Sequence, residues 1–247
     1  MPNIKDKFER REVKYLISAE QRRDIMKLVE EYMKPDEFGR SAICSVYYDT
    51  PDMLLIRRSL DRPVYKEKLR VRSYGPVSGD KEVFVELKKK YNGVVYKRRV
   101  AMTAPEAEAY LAGETAAPQS SQIVSELDYF LKQYSGLAPA AYIAYDRQAF
   151  FGRDDPDFRI TFDENIRWRD EDISLSADTA GEQLLAPGQS LMEIKIADAM
   201  PLWLAHELSA LGVFKTSFSK YGSAYQAMCA RAAVPVNMKI KEGCYIA

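Results

Sequence analysis

Lysine, arginine and glutamate recur at every second position in several stretches of the chain. Lys66, Lys68, Arg70 and Arg72 form one series, and Glu82, Glu86, Lys88 and Lys90 form a second. Lys97 with Arg99, Arg10 with Glu12 and Lys14, and Glu193 with Lys195 repeat the pattern. In an extended chain, residues two apart share a face. Each series therefore puts its charges on one side. The other side carries Val13, Tyr15 and Ile17; Leu69 and Val71, with Tyr65 and Glu67; Val83, Val85 and Leu87; Tyr96 and Val100; and Met192, Ile194 and Ile196. Arg98 breaks the rule.

For any one strand the simplest account is the wet face of an antiparallel sheet. The set asks for more, because these faces are mostly Lys, Arg and Glu. Long cations side by side on neighbouring strands repel one another, and an anion held between them removes the repulsion. The chemistry that fits is the handling of a polyanion with closely spaced negative groups, a triphosphate or polyphosphate. Guanidinium forks at Arg70 and Arg72 match phosphate oxygens in pairs, and lysines act as point charges. Glu12, Glu86 and Glu193 would repel phosphate unless they hold a divalent metal or orient the cations.

The elements that must position these residues are legible in order. Strand character runs over 8–17. Ser18 with Gln21 is a capping-box pattern, and Ile25, Leu28, Val29, Tyr32 and Met33 follow at helical spacing. Pro35 to Gly39 is expected to stop that helix. A short strand over 43–48 and a short helix over 52–60 come next. Strands are expected over 64–74, 82–90 and 94–103, with Asn92-Gly93 a hairpin turn between the last two. Helices are expected over 104–113 and 121–134, and strands over 140–151 and 158–162. Residues 170–187 read as a loop or irregular hairpin. A strand over 191–197, a helix over 201–211 with Pro at its first turn and a helix over 219–232 complete the chain. No repeat or linker divides it, so one domain over 1–247 is expected. The fold class is α+β: an antiparallel β-barrel with its charged face inward, alternate positions lining the interior, and helices packed outside. A low-dielectric interior strengthens each cation–anion contact.

Composition narrows the function. The chain has 247 residues, with Lys plus Arg equal to Asp plus Glu at 36 each. The balance hides a basic block: residues 57–100 hold 14 basic and 5 acidic residues, a net of +9, and residues 101–200 hold 7 and 18, a net of −11. A local anionic partner follows, not general adhesion to nucleic acid. A nucleic-acid binder needs an exposed basic stripe with stacking platforms, whereas these cations alternate with apolar residues, so no nucleic-acid partner is expected. Cys44, Cys229 and Cys244 are too scattered for a disulfide framework or zinc site. The lone His206 sits in an apolar helical pattern and excludes a multi-histidine metal site. No GxxxxGK[ST] loop is present, so a Walker-type cradle is excluded. There is no apolar run long enough to span a bilayer and no signal-peptide core, so a cytoplasmic protein is expected. Arg57, Arg58 and Arg62 read as a solvated helix face that could steer an anion to a mouth, the acids of 170–172 as loop solvation, and Asp163 as a support for a neighbouring cation. Most of the Tyr and Phe residues are expected to pack in the core or barrel wall.

Nine short motifs, in order, resemble those of the VTC-type polyphosphate polymerase domain, a branch of the triphosphate tunnel metalloenzyme (CYTH-like) superfamily. They are Glu12-Val-Lys-Tyr15, Val46-Tyr-Tyr-Asp-Thr-Pro51, Lys68-Leu-Arg-Val-Arg72, Glu86-Leu-Lys-Lys-Lys90 and Tyr96-Lys-Arg-Arg99. Tyr145-Asp-Arg-Gln-Ala-Phe150, Phe158-Arg-Ile-Thr-Phe-Asp163, Met192-Glu-Ile-Lys195 and Ser217-Phe-Ser-Lys-Tyr221 complete the set. The resemblance implies a tunnel of eight antiparallel strands that binds ATP and growing polyphosphate and transfers the ATP γ-phosphate, with Mn2+ or Mg2+. It implies a phosphate path lined by Lys14, Arg70, Arg72, Lys88, Lys97, Arg99, Arg147 and Arg159, with Glu193 on the metal. Ser219 and Lys220 would contact phosphate with Ser217 beside them; the motif often has a basic residue at Ser217, and Lys215 is the candidate substitute. Within this set Arg70, Arg72, Lys88, Arg147 and Lys220 are the expected catalytic residues, and Lys195 joins those that bind substrate. Arg10 stands where the wider superfamily has the first of two glutamates, which favours the VTC type over the thiamine-triphosphatase and adenylate-cyclase types. Eukaryotic relatives export their product through a transmembrane segment. A chain without one would leave its product in the cytosol or use a separate membrane partner. The competing functions are a triphosphate or polyphosphate hydrolase in the same tunnel and a non-catalytic polyphosphate or inositol-phosphate module.

Overall fold

The computed structural model describes residues 11–92, 94–197 and 199–233. The elements run β1 (Arg11–Ile17), α1 (Ala19–Tyr32), β2 (Met33–Asp49), α2 (Leu54–Leu60), β3 (Tyr65–Tyr74), β4 (Glu82–Tyr91) and β5 (Val94–Thr103). They continue with α3 (Ala104–Leu111), α4 (Gln122–Gln133), β6 (Ala138–Gly152), β7 (Arg159–Arg169), β8 (Glu182–Gln183), β9 (Ser190–Ile196), α5 (Leu202–Ala210), β10 (Lys215–Thr216) and α6 (Lys220–Ala233). Local signals set several boundaries. Ser18 and Gln21 form the capping box that starts α1, and Thr103 with Glu106 forms a second at α3. Each such cap stabilises its helix by about 1 kcal/mol. Arg10, Gly93 and Cys244 lie outside the described residues.

Four expectations are corrected, the last of them in the placing of the helices. Residues 35–39 do not form a stop after α1. The helix ends at Tyr32 and the chain turns directly into a 17-residue strand, because the register against β6 slips between Pro35 and Arg40 and a bulge absorbs the Pro and Gly. The strand expected over 158–162 continues to Arg169, since Ile166 and Trp168 are buried in line with it. The third correction is the barrel. All pairings are antiparallel, in the order β10-β1-β9-β7-β6-β2-β3-β4-β5 with β8 on β7. Among the described residues this sheet is open, with β10 and β5 at its edges.

The open sheet is nonetheless curled. Lys88 on β4 lies within the electrostatic reach of Glu12 and Lys14 on β1, six strands away along the sheet. The segment before α6 touches both arms: Lys14 Nζ donates to Phe218 O at 3.1 Å, and Lys68 Nζ donates to Ser219 Oγ at 2.8 Å. The result is a trough. Its outer face carries two apolar cores. One packs Leu69, Val71, Val85 and Leu87 against α3 and α4, and the other packs Phe162, Met192 and Ile194 against α1 and α5. Helices were expected only outside, but α6 and α2 lie on the inner face. Tyr221 and Ala224 of α6 and Ile56 of α2 cluster with Ile43, Ala141, Ile143 and Leu191. The reason is local: around β2 and β6 the inner positions are apolar and need cover, which the charged positions on β3–β5 and β7–β1 do not.

Candidate active site

Register brings the alternating charges into rows. Directly paired residues of an antiparallel sheet share a face. Tyr47, Arg70, Glu86 and Arg99 form one row across β2–β5, and Lys68, Lys88 and Lys97 form the next across β3–β5. On the other arm Arg147 pairs with Asp163, Thr161 with Glu193 and Glu193 with Lys14; Arg159 pairs with Lys195 and Lys195 with Glu12. The inner face therefore collects Lys14, Lys68, Arg70, Arg72, Lys88, Lys97, Arg99, Arg147, Arg159 and Lys195 from seven strands, and α6 adds Lys220 from its first residue.

Two acidic centres organise these cations. Glu86 is 1% exposed. Its Oε2 takes Arg70 Nε at 2.8 Å, and its Oε1 takes Arg99 Nε and Lys97 Nζ at 2.7 Å each. Arg72 Nε stands 3.9 Å from Oε2. Burial alone would raise the Glu86 pKa; Arg70, Arg72 and Lys97 overcome it and hold the carboxyl well below the usual carboxylate range. The second centre pairs Asp163, fully buried, with Glu193. Arg147 makes a two-pronged bond to Asp163 at 2.6 and 2.7 Å and reaches Glu193 at 3.0 Å. Lys220 Nζ lies 2.6 Å from Asp163 and 3.2 Å from Glu193, and Lys14 lies 3.3 Å from Glu193. Asp163 thus does support neighbouring cations.

Between the centres the balance is positive. Lys68, Lys88, Arg159 and Lys195 have no carboxylate within 4 Å among the described residues. Burial, with Lys88, Lys66 and Lys14 as like-charged neighbours, pushes Lys68 down to about 8. Burial also lowers Lys88 and Lys195, although Glu12 opposes the shift in both. Lys97 is likewise pushed down to about 8 by burial, with Arg99 and Arg72 adding to it. An anion bound among these clustered ammonium groups would favour their charged form.

Two tyrosines are part of the face and were not singled out by their type. Tyr47 Oη accepts from Arg70 Nη1 at 2.9 Å. Burial would raise its pKa, but Arg70, Lys68 and Arg72 bring it to about 8. Tyr145 Oη accepts from Arg72 at 3.2 Å, and Lys220 sits 4.5 Å over the Tyr145 ring. Strand parity with the cations was the signal that could have found them. Conversely, Arg98, which broke the alternation, and Glu67, on the apolar side of its strand, find partners outside. Arg98 Nε donates to Glu126 of α4 at 3.1 Å, and Glu67 accepts from Tyr134 at 2.9 Å and from Tyr65. Ser219 contacts Lys68 and caps the backbone N–H of Gly222 at 3.1 Å. Lys215 and Thr216, on β10, pair with Tyr15 and Lys14, and Ser217 follows them.

Glu12, Glu86 and Glu193 are not gathered at one point. Among the described residues no three of His, Cys, Asp and Glu come together in a metal-binding group. Both oxygens of Glu86 and both of Glu193 are engaged by cations. Glu12 and Glu193 are diagonal neighbours on paired strands, close enough that Glu193 raises the pKa of Glu12 while Lys88 and Lys14 lower it.

A family model described as the VTC domain matches residues 9–229, almost the whole of this sheet and its helices. The chain belongs to the VTC domain family. Among curated proteins none matches it. Solved structures share the fold of this VTC domain at low identity. A candidate adenylate cyclase from Bacillus halodurans is similar at a TM-score of 0.53 and 14% identity, over 84% of this chain and 92% of that one. A candidate adenylyl cyclase from Hippeastrum, described as having a dominant triphosphatase activity, is similar at 0.52 and 12%, over 91% and 97%. No helix among the described residues of the VTC domain is long and apolar enough to cross a membrane.

Proposed function

We propose that this VTC domain is a metal-dependent phosphoryl transferase that binds ATP and polyphosphate in its trough and builds polyphosphate from the ATP γ-phosphate. The observation that carries the reading is the surplus of inward cations over the few carboxylates among them. Phosphoryl transfer needs in-line positioning and neutralisation of the oxygens more than covalent help. The absence of a required cysteine or histidine nucleophile agrees with the trough's make-up.

The roles divide by geometry. Arg70 and Arg99, held by Glu86, and Arg72, held by Tyr145, present forks to phosphate oxygens. Lys68, Lys88, Lys97, Arg159 and Lys195 supply charge along the path. Arg147 and Lys220, locked by Asp163 and Glu193, face the reacting group, with Lys14, Ser217 and Ser219 beside them. Glu86 holds Arg70, Arg99 and Lys97 and serves as counter-ion in this scheme; the metal role falls to Glu12 and Glu193, and a bound ion would take Glu193 oxygens that Lys14, Lys220 and Arg147 otherwise hold. Two carboxylates with phosphate oxygens and water suit Mg2+ or Mn2+. When bound, such an ion neutralises the transferring phosphoryl oxygens. The nucleophile is the terminal oxygen of an accepting phosphate, which forms its bond to the γ-phosphorus as the bond to the β-phosphate oxygen breaks and ADP leaves.

A second reading, hydrolysis of triphosphate or polyphosphate in the same trough, draws on the triphosphatase activity described for the Hippeastrum protein. Purified protein incubated with ATP and Mn2+ separates the two. Chains longer than three phosphates support synthesis, free phosphate alone supports hydrolysis, and unchanged ATP overturns both in favour of a binding module.

A further inference from the structure

One end of the charged rows is aromatic. On β3 the inward series Lys66, Lys68, Arg70, Arg72 continues to Tyr74, and on β4 Phe84 occupies the inward position paired with Arg72. Tyr74 and Phe84 meet edge to face with ring centroids 5.9 Å apart. The Arg99 guanidinium lies 4.3 Å over the Phe84 ring while its Nε holds Glu86. The aromatic end and the cation knot therefore share a residue.

Phe38 completes the group. It belongs to the bulge that β2 makes between Pro35 and Arg40. Asp36 Oδ1 accepts from the Phe38 N–H at 3.2 Å, and Gly39 follows at φ +56°. That tight, glycine-dependent turn holds a large ring outward, 69% exposed. The Phe38 ring lies nearly parallel to Tyr74, at 19° with centroids 6.5 Å apart. This is the loose end of ring–ring stacking. Tyr74 is itself 44% exposed. An exposed pair of flat rings at the mouth of a polyanion trough has the chemistry of a platform for a base attached to phosphates.

We propose that Phe38 and Tyr74 form a nucleobase-stacking subsite, with Phe84 and Arg99 linking it to the phosphate path, so that the trough prefers a nucleoside triphosphate over inorganic tripolyphosphate. Spacing supports this. Arg72 is two residues and Arg70 four residues from Tyr74, about 7 and 13 Å along a strand at roughly 3.3 Å per residue. A base on Tyr74 leaves its ribose and first phosphates beside Arg72 and Arg99 and carries the terminal phosphate past Tyr145, which Arg72 contacts, toward Arg147 and Lys220 over the same ring. Stacking accepts any base, so the subsite distinguishes nucleotide from bare phosphate without selecting adenine.

The inference rests on the phosphate-binding reading above, and its test separates the two. ATP and tripolyphosphate are titrated against the full chain, wild type, Phe38→Ala and Phe38→Trp. Phe38→Ala is expected to weaken ATP about tenfold, from the size of one base–aromatic stack, and to leave tripolyphosphate unchanged. Phe38→Trp is expected to restore ATP affinity and to show fluorescence quenching with ATP and none with tripolyphosphate. An equal effect of Phe38→Ala on both ligands, or no effect on ATP, overturns the subsite while the phosphate path stands. Failure of the wild type to bind tripolyphosphate overturns the phosphate path and the subsite with it.

Discussion

Replacing Glu86 with Gln tests the electrostatic logic of the trough most directly. The side chain is 1% exposed and holds Arg70, Arg99 and Lys97 at 2.7–2.8 Å, with Arg72 at 3.9 Å. Gln keeps the volume and one acceptor oxygen but removes the charge that balances them. Breaking a buried ion pair on one side costs about 3–5 kcal/mol. The retained acceptor puts this substitution at the low end, about 3 kcal/mol. In a chain of this size each kcal/mol shifts Tm by about 2–4 °C, so Glu86→Gln is expected to melt about 6–12 °C below the wild type. The pH dependence has a definite sign. The folded carboxyl titrates below its ordinary 4.5. Its stabilisation is therefore complete at neutral pH and is lost as pH falls below about 4.5. The gap between wild type and variant narrows over that range. Tripolyphosphate supplies the missing negative charge and should raise the variant's Tm more than the wild type's. Thermal melts with and without tripolyphosphate, at neutral pH and near pH 3, read all three. A variant that melts with the wild type, or a gap that persists unchanged in acid, refutes the account of Glu86 as the counter-ion.

Glu193→Gln is expected to lower phosphoryl transfer by about 100-fold, the scale of losing one transition-state electrostatic contact, with tripolyphosphate binding largely retained. Equal losses in turnover and binding would contradict its place on the metal. Affinity for tripolyphosphate should fall as pH rises through about 8, where Lys68 and Lys97 lose their protons in the free protein. Calorimetry should show proton uptake on binding, and a flat profile would remove these lysines from the path. Arg98→Ala, on the outer face against Glu126, should leave tripolyphosphate affinity unchanged and cost no more than about 1 kcal/mol in chemical denaturation, as expected of a partly exposed ion pair.

Much of the site could be read from alternation, because a strand's period of two depends only on the backbone. Once Lys66–Arg72 and Glu82–Lys90 are strands, the charges two residues apart in each must share a face, whatever the sheet does next. The capping boxes at Ser18 and Thr103 were legible for the same reason: each is closed by atoms three residues apart. The open edges of the sheet, the apolar patch around Ile43 and Leu191, and the helix that covers it were not legible, since each depends on which distant strands become neighbours. The meeting of Asp163, Arg147, Glu193 and Lys220 belongs to the same class. So does the stack of Phe38 on Tyr74, which joins a bulge in β2 to the end of β3.

Sequence alone thus determined which residues are charged and in what order, and backbone periodicity determined on which side of each strand they lie. Only the tertiary structure decided that the two charged arms curl toward each other, that Glu86 is consumed as a counter-ion, and that α6 enters the trough with Lys220 at its tip. The physical reason is range. Backbone periodicity and capping act within a few residues, whereas electrostatic pairing and burial act between whatever the folded chain brings within a few ångströms.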